Sequence, residues 1–212
     1  MDDRYLVLSD VHGRGWAAEA AKELMREQGL DQAILLGDIT HFGPIQFAEE
    51  FIHDLGVRCF AVPGNCDPPG ALPFIERCAT SLHARKVNVN GRTWGGLGGC
   101  NPTVFQTPFE MTEEEMGGLL APLMEPGMIL VLHCPPKGTF DSTFSGMSVG
   151  STAVRDLIER TKPLVVLSGH IHEDRGVEQK DGVWYMNPGA VKDHYAGMME
   201  LGKDVKLTLL DI

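Results

Sequence analysis

Residues 5–13 read Tyr5-Leu6-Val7-Leu8-Ser9-Asp10-Val11-His12-Gly13, and this stretch decides the fold. Tyr5–Leu8 is a short unbroken apolar run, the pattern of a strand buried on both faces, and it stops abruptly at polar side chains. Working outward, Trp16–Gln28 sets Trp16, Ala20, Leu24 and the Ala17/Ala21 pair on one helical stripe that halts at Gly29. Gln32–Leu36 is a second buried strand followed by Gly37-Asp38. Ile45–Leu55 reads as a helix with Pro44 at its first turn and Gly56 behind its end. Val57–Val62 is a third strand ending at Pro63-Gly64-Asn65. A β-α-β-α-β opening of this kind predicts an α/β fold with a parallel sheet and crossover helices.

The middle of the chain is less regular. Leu82–Val89 followed by Asn90-Gly91 predicts a hairpin. Gly95–Gly99 is glycine-dense, and residues 101–108 read as loop. Thr112 and Glu115 have capping-box spacing for a short helix. Met128–Leu132 is a buried strand that ends in His133. The stretch 135–150 predicts a loop longer than structural connections usually need. Ser151 caps a helix to about Arg160, Leu164–Leu167 is a strand before Ser168-Gly169-His170, and hairpins turn at Asp181-Gly182 and near Gly202-Lys203.

The chain has 212 residues, 43% of them hydrophobic and 22% charged, which fits one folded domain over residues 1–212 and excludes whole-chain disorder. Its net charge of −11 makes long nucleic acid a poor partner, since phosphates would meet a like-charged surface. Five cysteines, none at C-x-x-C spacing, indicate neither a disulfide framework nor a cysteine zinc site. The N-terminal residues lack a basic region and a long apolar core, and no apolar run approaches the roughly 20 residues of a membrane span. These features predict a cytoplasmic protein with no membrane partner. The pattern carries no signal for an oligomeric state.

Several buried strands end in side chains suited to metal: Asp10 with His12, Asp38, Asn65, His133, and His170 with His172. Open α/β sheets form their sites where strands reach their carboxyl ends. The set mixes oxygen and nitrogen donors without thiolate, which suits Mn²⁺, Fe, Zn²⁺, Co²⁺ or Ni²⁺ and disfavours copper(I). Seven donors exceed one tetrahedral site and fit two ions that share a carboxylate.

The order of these motifs resembles the calcineurin-like metallophosphoesterases, and within them the small prokaryotic phosphodiesterase branch. The resemblance is carried by Ser9–Gly13 (SDVHG), Leu36–Gly43 (LGDITHFG), Pro63–Asp67 (PGNCD), Leu132–Pro136 (LHCPP), Ser168–His172 (SGHIH) and Asn187–Gly189 (NPG). It implies a four-layer sandwich of two mixed β-sheets flanked by helices. It also implies two divalent transition-metal ions, manganese first among the candidates. One would be held by Asp10, His12, Asp38 and His172, the other by Asp38, Asn65, His133 and His170. The activity implied is hydrolysis of a small phosphorylated substrate, a phosphodiester, by a hydroxide bridging the two ions.

The chain departs from many relatives at Cys66, where they carry a histidine that serves the leaving group. A thiol is a weak donor and cannot replace an imidazole. His41, three residues after Asp38, is the substitute candidate for contact with the substrate. Asp67 is a candidate for orienting a histidine, Asn101 for lining the mouth of the site, and Arg14 reads as solvated. His53, His83 and His194 read as surface or packing residues, and Met198-Met199 as strand core. Two alternatives differ in consequence. A phosphomonoesterase would use the same donors but calls for a basic substrate cluster that is not visible. A retromer-type protein-binding scaffold would have lost donor residues, whereas all seven positions here carry competent types.

Overall fold

The computed structural model describes residues 3–212. In chain order its elements are β1 (Asp3–Leu8), α1 (Ala17–Gln28), β2 (Gln32–Leu35), α2 (Gln46–Leu55), β3 (Arg58–Ala61), α3 (Leu72–Cys78) and β4 (Thr80–Ser81). There follow β5 (Arg85–Val89), β6 (Arg92–Leu97), α4 (Glu113–Leu120), β7 (Ile129–Leu132), α5 (Thr152–Thr161) and β8 (Val165–Leu167). The chain ends with β9 (Gly176–Lys180), β10 (Val183–Asn187), β11 (Tyr195–Leu201) and β12 (Val205–Asp211).

The strands form two six-stranded sheets, ordered β12-β11-β1-β2-β3-β4 and β5-β6-β7-β8-β10-β9. Both are mixed. In the first, β1 pairs parallel with β2 and antiparallel with β11, and in the second, β6-β7-β8-β10 is a parallel centre flanked by antiparallel β5 and β9. The alternation of side chains explains why the central strands are apolar throughout. Tyr5, Val7, Ile34 and Leu36 enter a core between the sheets, while Leu6, Leu8, Ala33 and Leu35 face a second core beneath α1 and α2. On the other sheet Ile129 and Val131 face inward, and Leu130 and Leu132 pack toward α4 and α5. The result is helix, sheet, sheet, helix: the four layers expected.

Between the sheets, Trp94 packs against Tyr5 and Phe60 with ring centroids 5.1 and 5.0 Å apart. Burial of each such side chain stabilises the fold by about 1.5–3 kcal/mol. The capping box at Thr112 and Glu115 is complete. The turn at Asn90-Gly91 has both residues left-handed, φ 51° and 79°, as a two-residue hairpin turn requires.

Three details differ from the sequence reading. Pro44 lies two residues ahead of α2 rather than inside it. Residues 69–78, given no element above, form a 3₁₀ turn running into α3. The glycine-dense stretch, also given no element above, is largely strand: Gly95 and Gly96 belong to β6, and a Cβ at Gly96 would lie 3.1 Å from Val62 Cγ1 and 3.2 Å from Leu82 Cβ. The strand lies too close to its neighbours for a side chain there.

Candidate metal centre

Every donor follows the carboxyl end of a strand. Asp10 and His12 follow β1, Asp38 follows β2, Asn65 follows β3, His133 follows β7, and His170 and His172 follow β8. The backbone there is strained. Asp10, His12, Asp38 and His170 have φ of 58°, 50°, 51° and 69°, a left-handed conformation that costs ordinary residues about 1–2 kcal/mol each. Hydrogen bonds between the loops hold it: Asp10 N donates to Gly37 O at 3.0 Å, and His12 N donates to Asp38 O at 2.8 Å. Gly37, with φ 99°, permits the closest approach, since a Cβ there would sit 2.8 Å from His133 Nδ1.

The side chains converge in two groups with Asp38 between them. On one side His172 Nε2 lies 2.9 Å from Asp10 Oδ1, and His12 Nε2 lies 3.4 Å from His172 Nε2. On the other, His133 Nε2 lies 2.7 Å from Asn65 Oδ1, and the His133 and His170 rings are 5.0 Å apart. Asp38 faces both groups, Oδ2 at 3.6 Å from His12 Nε2 and Oδ1 at 3.5 Å from His133 Nε2. The donor atoms of Asp10, His12 and His172 lie within 4.8 Å of one another, as do those of Asp10, Asp38 and His133. Imidazole, carboxylate and amide oxygens gathered at this spacing fit divalent transition metal.

Local charge acts on these groups in different directions. Burial opposes ionisation of Asp10, but the His172, His12 and His133 rings override it and hold its carboxyl well below the usual range. Burial beside the His133 ring pushes His170 down to about 4, leaving a neutral imidazole with a free lone pair. For His172 burial works the same way, yet the Asp10 carboxylate prevails and raises it. The outer nitrogens are also directed: His133 Nδ1 lies 2.8 Å from Leu36 O, a bond that aims Nε2 into the cluster.

His41 is exposed, with Nδ1 3.2 Å from His12 Nδ1, so the chain brings it to the rim. The Cys66 thiol is buried beside it, and burial together with Asp38 pushes it far up, keeping it protonated. Asp67 does not orient an imidazole. Its carboxylate accepts from the backbone amides of Ile39, Thr40 and Gly64 at 3.2, 2.7 and 2.8 Å, and so locks the Asp38 and Asn65 loops together. Asn101 acts as a clamp between loops, its Nδ2 donating to Val149 O and its Oδ1 accepting from Cys134 Sγ. Arg14 is exposed, His83 accepts from Gly98 N, and His194 stacks on Trp16. Two supports escaped the residue-level reading. Ser9 Oγ donates to Asp10 Oδ2, and Asn187 Nδ2 donates to Ile171 O, fixing the loop of His170 and His172. Asn187 was visible only as part of the NPG motif.

Comparison with known proteins identifies the family and the fold. The calcineurin-like phosphoesterase superfamily domain matches residues 4–201. An uncharacterized protein of Methanocaldococcus jannaschii is 30% identical over 192 residues, covering 85% of this chain and 85% of its own. The crystal structure of the protein TT1561 of Thermus thermophilus shares the fold with a TM-score of 0.76 at 20% identity, over 100% of this chain and 99% of that one. A structure described as a novel archaeal phosphodiesterase has a TM-score of 0.52 at 16% identity, over 98% of this chain and 99% of its own. With the family's domain running from β1 to the end of β11, the chain belongs to the calcineurin-like phosphoesterase superfamily.

Proposed function

We infer that the chain is a phosphodiesterase dependent on two divalent metal ions, with a small phosphodiester as substrate. The observation that carries this reading is the position of Asp38, whose two oxygens face different histidine groups. Asp10, His12, His172 and Asp38 would hold one ion, and Asp38, Asn65, His133 and His170 the other. When bound, such a pair supplies positive charge to the phosphoryl oxygens and lowers the pKa of water. Manganese leads the candidates, ahead of Fe, Zn, Co and Ni.

The chain's own residues contribute position and protons. Neutral His170 and ionised Asp10 keep their lone pairs for coordination rather than for protons. Asp67 fixes the loops of Asp38 and Asn65 so that the donors need no rearrangement. His41, exposed and 3.2 Å from His12, would give a proton to the departing oxygen. The diester is preferred to a monoester because the sequence shows no basic cluster for a dianionic group. A cytoplasmic location remains part of this proposal, and no helix among the described residues is long and apolar enough to cross a membrane.

The test is protein stripped of metal and reloaded with each divalent ion in turn, assayed on matched aryl diesters and monoesters and on cyclic nucleotides. Diester turnover that returns with metal supports the proposal. Turnover of monoesters alone would make it a phosphatase, and none on either, with two ions bound, would favour the scaffold.

A further inference from the structure

Among the described residues, large apolar side chains are exposed at Trp16, Phe42, Val104, Phe105, Leu119, Phe144 and Met147. Trp16 stacks on His194, and Leu119 lies on α4. The other five share three loops, all attached to the metal centre. Phe42 packs on His41 with ring centroids 4.6 Å apart, and its amide donates to Cys66 O. The loop bearing Val104 and Phe105 is joined to the centre where Phe109 N donates to Asn65 O at 3.0 Å. The loop bearing Phe144 and Met147 is joined beside His172, where Phe144 N donates to Glu173 Oε1 at 2.9 Å. Asn101 ties the second loop to the third through Val149 O.

These tips are presented by ordered backbone. Val104, Phe105 and Phe144 are 90, 82 and 93% exposed. Yet the Phe105 amide is held by Thr103 Oγ1, and Glu110 binds Thr103 and Thr107 through both their amides and their hydroxyls. Asp141 holds the other loop by accepting from Ser148 Oγ and Gly150 N. Apolar side chains presented in water on loops that border one polar centre offer a surface to what binds there.

The sequence of the tips says by what. Residues 38–45, 100–110 and 139–150 contain no lysine or arginine, and the chain carries a net charge of −11, so a polyanion or an anionic membrane has nothing to hold there. A second copy of the chain seated on the rim would close the centre it surrounds. The large exposed side chains at the tips are phenylalanine, valine and methionine, with the smaller polar Gln106 and Ser145 beside them. We propose that these loops form a subsite for an uncharged alkyl arm of the substrate, beside the phosphoryl group held at the metal centre. The inference rests on the phosphodiesterase reading and names its substrate class.

The experiment compares methyl and hexyl p-nitrophenyl phosphate, which share a leaving group, below the micellar concentration and with metal-reloaded protein. A fully buried methylene is worth about fourfold, so partial burial of the chain predicts a hexyl-to-methyl ratio of kcat/KM of at least about tenfold. Phe105→Ser and Phe144→Ser should each cut that ratio by at least about threefold, whereas Leu119→Ser, on α4, should leave it unchanged. All three positions are exposed, so the variants are expected to fold, which circular dichroism checks. Equilibrium binding of hexylphosphonate against methylphosphonate reads the same preference without turnover. Turnover of both diesters with a ratio near one overturns the subsite and leaves the diesterase standing. Absence of turnover with hexylphosphonate still preferred would do the reverse. A preference seen only with micelles or neutral vesicles, or lost when a dimer is broken by Phe144→Ser, would assign the rim to a membrane or to a second copy instead.

Discussion

Asp38 and Asp67 clasp each other's loops: Cys66 N donates to Asp38 Oδ1 at 2.7 Å, and Thr40 N donates to Asp67 Oδ1 at 2.7 Å. Each carboxylate therefore holds the backbone that carries the other. The strained φ of Asp38 persists because this junction leaves it no alternative. Replacing Asp67 by Ala would strand three buried amides, those of Ile39, Thr40 and Gly64. The expected loss is at least about 2 kcal/mol in urea unfolding, with lower metal content at a given free-ion concentration. Asp67→Asn should lose less, because an amide oxygen still accepts. Equal stability of Asp67→Ala and wild type would remove the clasp from the account.

The shared position of Asp38 predicts a stoichiometric signature. Asp38→Asn should lower occupancy at both sites and abolish activity. His12→Ala and His133→Ala, each on one side, should retain about one ion per chain of an initial two. Elemental analysis after equilibration against buffered metal measures this directly. Full occupancy in Asp38→Asn with near-normal turnover would end the bridging assignment.

Metal removal should separate activity from folding. The three apolar cores lie between layers, and none of the candidate donors belongs to them. Chelated protein is therefore expected to keep its far-ultraviolet circular dichroism and a cooperative melt while losing hydrolysis, which divalent metal restores. Hydrolysis that survives verified metal removal would refute the metal dependence.

The Val104–Phe105 loop has its own pH dependence. Burial opposes the charge on Glu110, but bonds from Thr103 and Thr107 prevail and pull its pKa from the ordinary 4.5 to about 2. A depressed carboxylate adds stability that is complete above the ordinary value and is lost as pH falls from about 4.5 toward about 2. Wild type should thus exceed Glu110→Gln by about 1 kcal/mol near neutrality, and the gap should narrow through that acidic window. Paired urea titrations at several pH values provide the check, and a gap that is independent of pH would contradict it.

How far the sequence revealed this site depended on distance along the chain. The donors were legible because each ends a buried strand, so a local apolar run pointed to Asp10, Asp38, Asn65 and His133. The capping box at Thr112 was legible for the same reason, its partners lying three residues apart. Asp67 looked like an orienter of histidine because two of the three amides it serves are 27 and 28 residues away in sequence, on another loop. α3 was hidden behind Pro68-Pro69-Gly70, a run that reads as a turn, whereas the turn at Asn90-Gly91 pointed to β6, whose glycines reflect close neighbours. The apolar rim was hidden as well. Its residues look like ordinary loop positions until the fold shows that their loops border one centre.

The departing oxygen provides the sharpest test of roles. The buried thiol of Cys66, raised by desolvation and by Asp38, stays protonated and donates weakly. Asn65 Nδ2 approaches its sulfur at 3.6 Å, so the thiol is also engaged in packing the donor loop. His41 is exposed and sits 3.2 Å from His12, at the edge from which a substrate would enter. Cys66→Ala should therefore keep at least about a tenth of diesterase activity, whereas His41→Ala should lose more on substrates with basic leaving groups than on activated aryl esters. General-acid assistance is worth about 10²–10⁴-fold and matters most when the leaving oxygen is basic. The slope of log kcat/KM against leaving-group pKa should therefore steepen in His41→Ala, with metal occupancy verified in each variant. A loss on every substrate alike would mean that His41 supports the site rather than supplying the proton. A thousandfold loss in Cys66→Ala with His41→Ala unharmed would exchange the two roles, on the scale that general-acid catalysis sets at about 10²–10⁴-fold.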